Sequence, residues 1–119
     1  MASAFSYVGF DSANPRRQAE FWAAVLDWQI GDASDTEASI SGPPGSGPQL
    51  YFSTVPEGKG VKNRLHLDIS PRGCDQQQEL ERLLALGARH VDIGQGEQTW
   101  IVLADPEGNE FCLLQSSVD

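Results

Sequence analysis

Five side chains in the C-terminal half of this chain hold most of its capacity for chemistry: Arg64, His66 and Asp68 at alternate positions, then Glu110 and Cys112 two apart. A spacing of two puts side chains on one face of a strand. His66 therefore shares a face with Arg64 and Asp68, while Leu65, Leu67 and Ile69 take the other. Glu110, Cys112 and Leu114 share a face opposite Phe111 and Leu113. A histidine placed in this way can donate a hydrogen bond or act as a general base, with Asp68 or Arg64 tuning it. Glu110 offers a second carboxylate, and the Arg64 fork matches an anionic ligand. Each residue also has a quieter reading. His66 is satisfied by Asp68 or a partner strand, and Arg64 is ion-paired to Asp68. Glu110 is solvated at the start of its strand beside a turn. Cys112 is a small buried hydrophobe, and Glu110 nearby disfavours its thiolate.

Aromatic residues extend the candidate site. Tyr7 and Tyr51 combine an apolar body with a hydroxyl, which suits a pocket with few charges. Trp100 is the aromatic best placed to stack on a ligand, because it lies on a strand; Trp22 and Trp28 recur at helical spacing and read as core. His90 follows a helix and reads as a surface residue. No nucleophile elbow, phosphate-binding glycine loop or paired zinc motif is present. Gly94-Gln95-Gly96 lies between strands and reads as a loop.

The whole chain narrows the class. With 119 residues it suits one domain with its own core. The formal charge of −9 argues against nucleic acid, whose phosphates need a basic surface. The N-terminal residues lack the basic start and apolar run of a signal peptide, and no stretch suits a bilayer, so a cytoplasmic protein is expected. Cys74 and Cys112 are too few for a disulfide framework and read as reduced thiols.

The elements that must position these residues follow from pattern and punctuation. Phe5 to Asp11 reads as a strand. Asn14-Pro15 starts a helix, with Phe21, Trp22, Val25, Leu26 and Trp28 at helical spacing and Asp27 marking its end. Short strands are expected over Gln29–Asp32, Glu37–Ser41 and Gln49–Val55, with a Gly/Pro loop over residues 42–48. The order then repeats. Asn63 to Ser70 reads as a strand, and Asp75 with Gln78 forms a capping-box pattern before a helix striped by Leu80, Leu83 and Leu84 and stopped at Gly87. His90–Ile93, Thr99–Leu103 and Glu110–Gln115 supply three more strands. Asp105-Pro106-Glu107-Gly108-Asn109 turns the last two into a hairpin. The chain thus reads β-α-β-β-β twice, with module one about 4–57 and module two about 62–116. The fold class expected is α+β: a curved mixed sheet around a cleft, helices outside, in a single domain over 1–119.

Three segments resemble the glyoxalase/bleomycin-resistance/dioxygenase (vicinal oxygen chelate) superfamily, and its small glyoxalase-like branch most closely. They are Phe10–Pro15 with Phe21–Trp28, Asn63–Asp68, and Leu103–Cys112. The resemblance implies two βαβββ modules, frequent homodimers, and a cleft for a small organic molecule. It also implies four metal-ligand positions in members with metal activity. Residue by residue these fall on or beside Tyr7, on Tyr51 or Phe52, on Arg64 or His66, and on Cys112, with Glu110 one inward step early. Carboxylate and imidazole donors are sparse in that set, so no cofactor is expected.

The expected function is binding of a small organic molecule without the family's metal site, with His66 and Glu110 as catalytic candidates. Tyr7, Tyr51, Arg64, Asp68, Trp100 and Cys112 are the ligand-binding candidates. One alternative is a divalent-metal-dependent lyase, isomerase or dioxygenase of the same superfamily; another is a non-catalytic interaction module.

Overall fold

The computed structural model describes residues 1–119, which form two compact units, Met1–Gly58 and Lys59–Asp119. In the first unit β1 (Tyr7–Ser12), α1 (Pro15–Leu26), β2 (Gln29–Ala33), β3 (Glu37–Ser41) and β4 (Gln49–Thr54) follow one another. Their sheet has the order β1-β4-β3-β2, with β1 parallel to β4 and the other pairs antiparallel. The second unit repeats the plan with β5 (Asp68–Ile69), α2 (Gln76–Leu86), β6 (Arg89–His90), β7 (Ile101–Ala104) and β8 (Glu110–Leu113), in the order β5-β8-β7-β6. The chain is therefore α+β, with the repeated element order that the sequence implies.

Local chemistry sets the helix ends. The Asn14 side chain accepts from the Arg17 N–H at the N-terminus of α1, with Pro15 at the first helical position. Asp27 closes the helix in the left-handed region, at φ 56°, so Trp28 falls beyond the cap and outside the helical stripe expected of it. In α2 the capping box between Asp75 and Gln78 is complete, and Gly87 caps the other end at φ 115°. Leu80 and Leu83 are buried as the stripe requires, but Leu84 is exposed. Glu79 is buried in its place, held by both guanidinium contacts of Arg82 at 2.7 and 2.8 Å.

The core of the first unit lies between α1 and one sheet face. Ala38, Ile40, Leu50 and Phe52 point inward at period two, and Phe10 meets Trp22 and Phe52 at ring separations of 6.4 and 5.1 Å. In the second unit β7 and β8 form the core, with Val102, Leu103, Ala104, Phe111, Cys112 and Leu113 all buried. Their connection is the expected turn. Asp105, fully buried, accepts from the N–H groups of Glu107 and Asn109 at 3.0 Å each, and Gly108 takes φ 89°.

Two strand expectations are corrected. The strand foreseen over Asn63–Ser70 is regular only at Asp68–Ile69, and Leu65 is 89% exposed rather than facing the core. The cause is the length of its partner. β8 begins at Glu110, pairs Asp68 with Cys112, and donates the Cys112 N–H to the Leu67 carbonyl at 2.9 Å. Upstream, the Glu110 side chain rather than a strand ladder holds the chain. The strand foreseen over His90–Ile93 is Arg89–His90 instead. The Asp92 carboxylate accepts the Gly94 N–H, and the Gln95 side chain accepts that of Ile93, which turns the backbone away from β7. No helix is long and apolar enough to cross a membrane.

Candidate functional site

The register of the second sheet builds a cluster. Asp68 and Cys112 are direct partners on the parallel strands β5 and β8, so their side chains share a face. His66 lies two residues before Asp68 and reaches the same place: its Nδ1 is 2.9 Å from Asp68 Oδ1 and 4.0 Å from Cys112 Sγ. One donor atom from each of the three lies within 4.8 Å of the others. The His66 and Asp68 side chains are 41% and 48% exposed, whereas Cys112 is buried.

This cluster lies in a cavity of about 310 Å³. Val102, opposite Cys112 on β7, joins Ile93, Trp100 and Leu114 as its apolar wall. Lys62, Gln95 and Glu110 supply further polar groups. Trp100, just ahead of β7, is held in place through its neighbour: the Gln76 amide at the start of α2 donates to the carbonyls of Thr99 and Leu113, at 2.9 and 3.2 Å.

Electrostatics distinguishes the members. Burial raises the pKa of the Cys112 thiol, and the Asp68 charge and hydrogen bond raise it further, while Lys62 pulls the other way. The thiol is therefore protonated near neutral pH and is not a ready nucleophile. Glu110 shows the opposite outcome. Its burial favours the neutral acid, but Lys59 at 2.8 Å and the Asn63 N–H at 2.7 Å prevail and lower its pKa. Its carboxylate is 13% exposed and fully engaged, which corrects the expectation of a solvated residue at the turn.

The candidates divide accordingly. The cavity brings together His66, Asp68, Trp100, Glu110 and Cys112. Arg64 is exposed and outside the lining, and Asp68 pairs with His66 rather than with Arg64. Tyr7 and Tyr51 belong to the first unit, on the sheet face opposite Phe52. Their rings are 5.5 Å apart, Tyr7 is 57% exposed, and the Tyr51 hydroxyl donates to the Glu37 carboxylate. That bond, with burial and the Glu37 charge behind it, raises the Tyr51 pKa. Sequence reasoning missed Lys62, Ile93 and Gln95. Gln95 sits in the glycine-flanked loop, where no periodicity marks it, and Lys62 sits in the connector before β5.

These features define a two-unit βαβββ protein with a titratable cluster against an apolar wall. Residues 7–114 match the family described as glyoxalase-like domain, and the chain belongs to that family, within the vicinal oxygen chelate superfamily. Comparison with curated proteins gives no match. Among solved structures, the fosfomycin resistance protein FosX from Mesorhizobium loti is 18% identical with a TM-score of 0.69, covering 99% of this chain and 95% of that one. A mutant FosX from Listeria monocytogenes, complexed with Mn(II) and 1S,2S-dihydroxypropylphosphonic acid, is 17% identical with a TM-score of 0.66, covering 99% and 93%. A glyoxalase/bleomycin resistance protein/dioxygenase family enzyme from Burkholderia phytofirmans is 19% identical with a TM-score of 0.64, covering 91% and 94%. At these identities the likeness is one of fold.

A manganese-type ion fits the second unit poorly. Hard divalent ions favour a shell of oxygen donors. Glu110 is committed to Lys59 and Asn63, which leaves one carboxylate, one imidazole and one sulfur. That donor set suits a borderline ion better than a hard one.

Proposed function

We propose that this protein binds a small organic molecule in the cavity of its second unit, without the carboxylate-rich metal site of the family's metal-dependent members. The observation that carries this reading is the meeting of the His66–Asp68 pair with the apolar wall around Trp100 in one cavity. Such a combination, mostly apolar with a few convergent polar groups, is the usual make-up of a ligand site. The wall accepts the body of the ligand. Lys62 and Gln95 offer donors to an anionic or carbonyl group on it.

His66 is also the residue suited to move a proton on the bound molecule. A carboxylate on one ring nitrogen fixes the imidazole's orientation and tautomer, leaving the other nitrogen as base. Acid–base turnover of the ligand is therefore part of the proposal, and Cys112 contributes packing rather than attack. The family setting supports a homodimer, and a cytoplasmic location is proposed with it. Light scattering on the eluting protein is expected to give twice the 12.9 kDa chain mass, and a monomer mass would exclude the dimer.

A thermal-shift screen of small carboxylates, phosphonates and α-keto acids tests the binding reading. Ligands that raise the melting temperature of the native protein are expected to lose that effect in Trp100→Ala and His66→Ala. Hits that shift both variants as much as the native chain would place binding elsewhere.

A further inference from the structure

We propose that the ligand of the second-unit cavity is a small aryl monocarboxylate, and that Lys62 is the residue selecting its single negative charge. This rests on the ligand reading above and deepens it by naming a chemical class. The charges around the cavity are mostly answered within the chain. Glu110 lines the cavity, but Lys59 holds one of its oxygens at 2.8 Å and the Asn63 N–H holds the other at 2.7 Å. Asp68 is paired with His66 at 2.9 Å. Lys62 stands apart: it lines the cavity, and its ammonium meets the Asn63 carbonyl at 3.2 Å rather than a carboxylate. An ammonium carries several N–H donors, so capacity remains for an acceptor on the ligand. Its charge acts inside the cavity, where it opposes that of Asp68 at the Cys112 thiol.

Gln95 adds a donor of the same polarity. Its Oε1 accepts the Ile93 N–H at 2.8 Å, which leaves the NH2 as the end available to a ligand. Lys62 and Gln95 therefore both offer N–H groups, and the acceptor oxygens of a carboxylate are their complement. A cationic head group finds no such match, because the wall carboxylates are already paired. A second negative charge on the ligand is opposed by Asp68 and by the net charge of −9 on the chain. The body of the ligand follows from the wall. Trp100 presents an indole beside Ile93, Val102 and Leu114, and an aromatic ring stacks on it with a gain beyond burial alone. The volume of about 310 Å³ lies at the small end of ligand cavities, about 300–1,000 Å³, which suits one ring with a short acid arm.

Calorimetric titration of the full chain with matched probes reads the selection directly. The probes are phenylacetate, its neutral amide phenylacetamide, the dianion phenylmalonate and the saturated analogue cyclohexylacetate. Phenylacetate is expected to bind at least ~10-fold more tightly than phenylacetamide, the increment of a hydrogen bond to a charged group. It is also expected to bind more tightly than phenylmalonate and cyclohexylacetate. Lys62→Met, which keeps the stem and removes the charge at an exposed position, is expected to erase the difference between acid and amide, and Lys62→Arg to retain it. Trp100→Ala is expected to weaken acid and amide alike. Equal affinity for acid and amide, a preference that survives Lys62→Met, or tighter binding of either phenylmalonate or cyclohexylacetate would overturn the inference. The cavity reading would still stand if those probes depend on Trp100. No binding of phenylacetate overturns the inference as well. Phenylacetate binding that neither Trp100→Ala nor His66→Ala weakens would remove the cavity reading, and this inference with it.

Discussion

Glu110 lies two residues before Cys112 on one strand face, yet the two groups do different work. The carboxylate is held by Lys59 and the Asn63 N–H, so it anchors the connector that leads into β5 rather than facing a ligand alone. Its pKa is lowered in the folded protein, because those contacts outweigh the opposing effect of burial. A carboxyl group with a depressed folded pKa stabilises the fold above its unfolded value, near 4.3, and that contribution is lost as pH falls through the folded value. Glu110→Gln is expected to cost about 1–2 kcal/mol at neutral pH. The melting-temperature gap to the native protein should narrow as pH falls from about 5 to 3. A gap constant over that range would show that the charge is not what holds the connector. The alternation His66, Asp68 and the run Glu110, Cys112, Leu114 made these neighbours legible in sequence. The His66–Asp68 pair was among the readings the sequence offered, beside an Arg64–Asp68 pair. The choice between them, and the engagement of Glu110 by Lys59, depend on the course of a non-regular segment.

At the scale of elements, punctuation proved more informative than periodicity. The Asn14-Pro15 start, the Asp75/Gln78 capping box and the Asp105–Asn109 turn appear in the structure where local hydrogen-bonding chemistry puts them. Alternation around Leu65 misled, because an apolar residue at period two reports a strand face only where a partner strand exists to pair with it. β8 supplies that partner from Leu67 onward and not before. Leu84 failed for a related reason, since Glu79, neutralised by Arg82, takes a buried place on α2 that pattern alone assigns to an apolar side chain. Gly87 offers a clean test of the capping argument. A Cβ there would meet nothing within 4 Å, so crowding by neighbouring groups is excluded, and only the φ of 115° penalises a side chain. Gly87→Ala is expected to lower stability by about 1–2 kcal/mol in denaturant unfolding. An unchanged midpoint would mean that the helix end relaxes without cost.

Across the whole molecule, one element plan is used twice with different outcomes. The first unit places aromatic bulk between α1 and its sheet and leaves Tyr7 and Tyr51 on the other face. The second pairs its short edge strand so that His66, Asp68 and Cys112 converge beside Trp100. The repeat and the family were legible from the sequence, because both rest on element order and turn motifs that survive at low identity. The difference between the units was not, since it arises from strand register and from one ion pair. The central claim is that ligand chemistry belongs to the second unit. Amide chemical-shift mapping, with the strongest ligand from the thermal screen, tests it most directly. Perturbations are expected to cluster at residues 62–68, 93–102 and 110–114. Shifts confined to the sheet face around Tyr7 and Tyr51, with those segments unmoved, would contradict it.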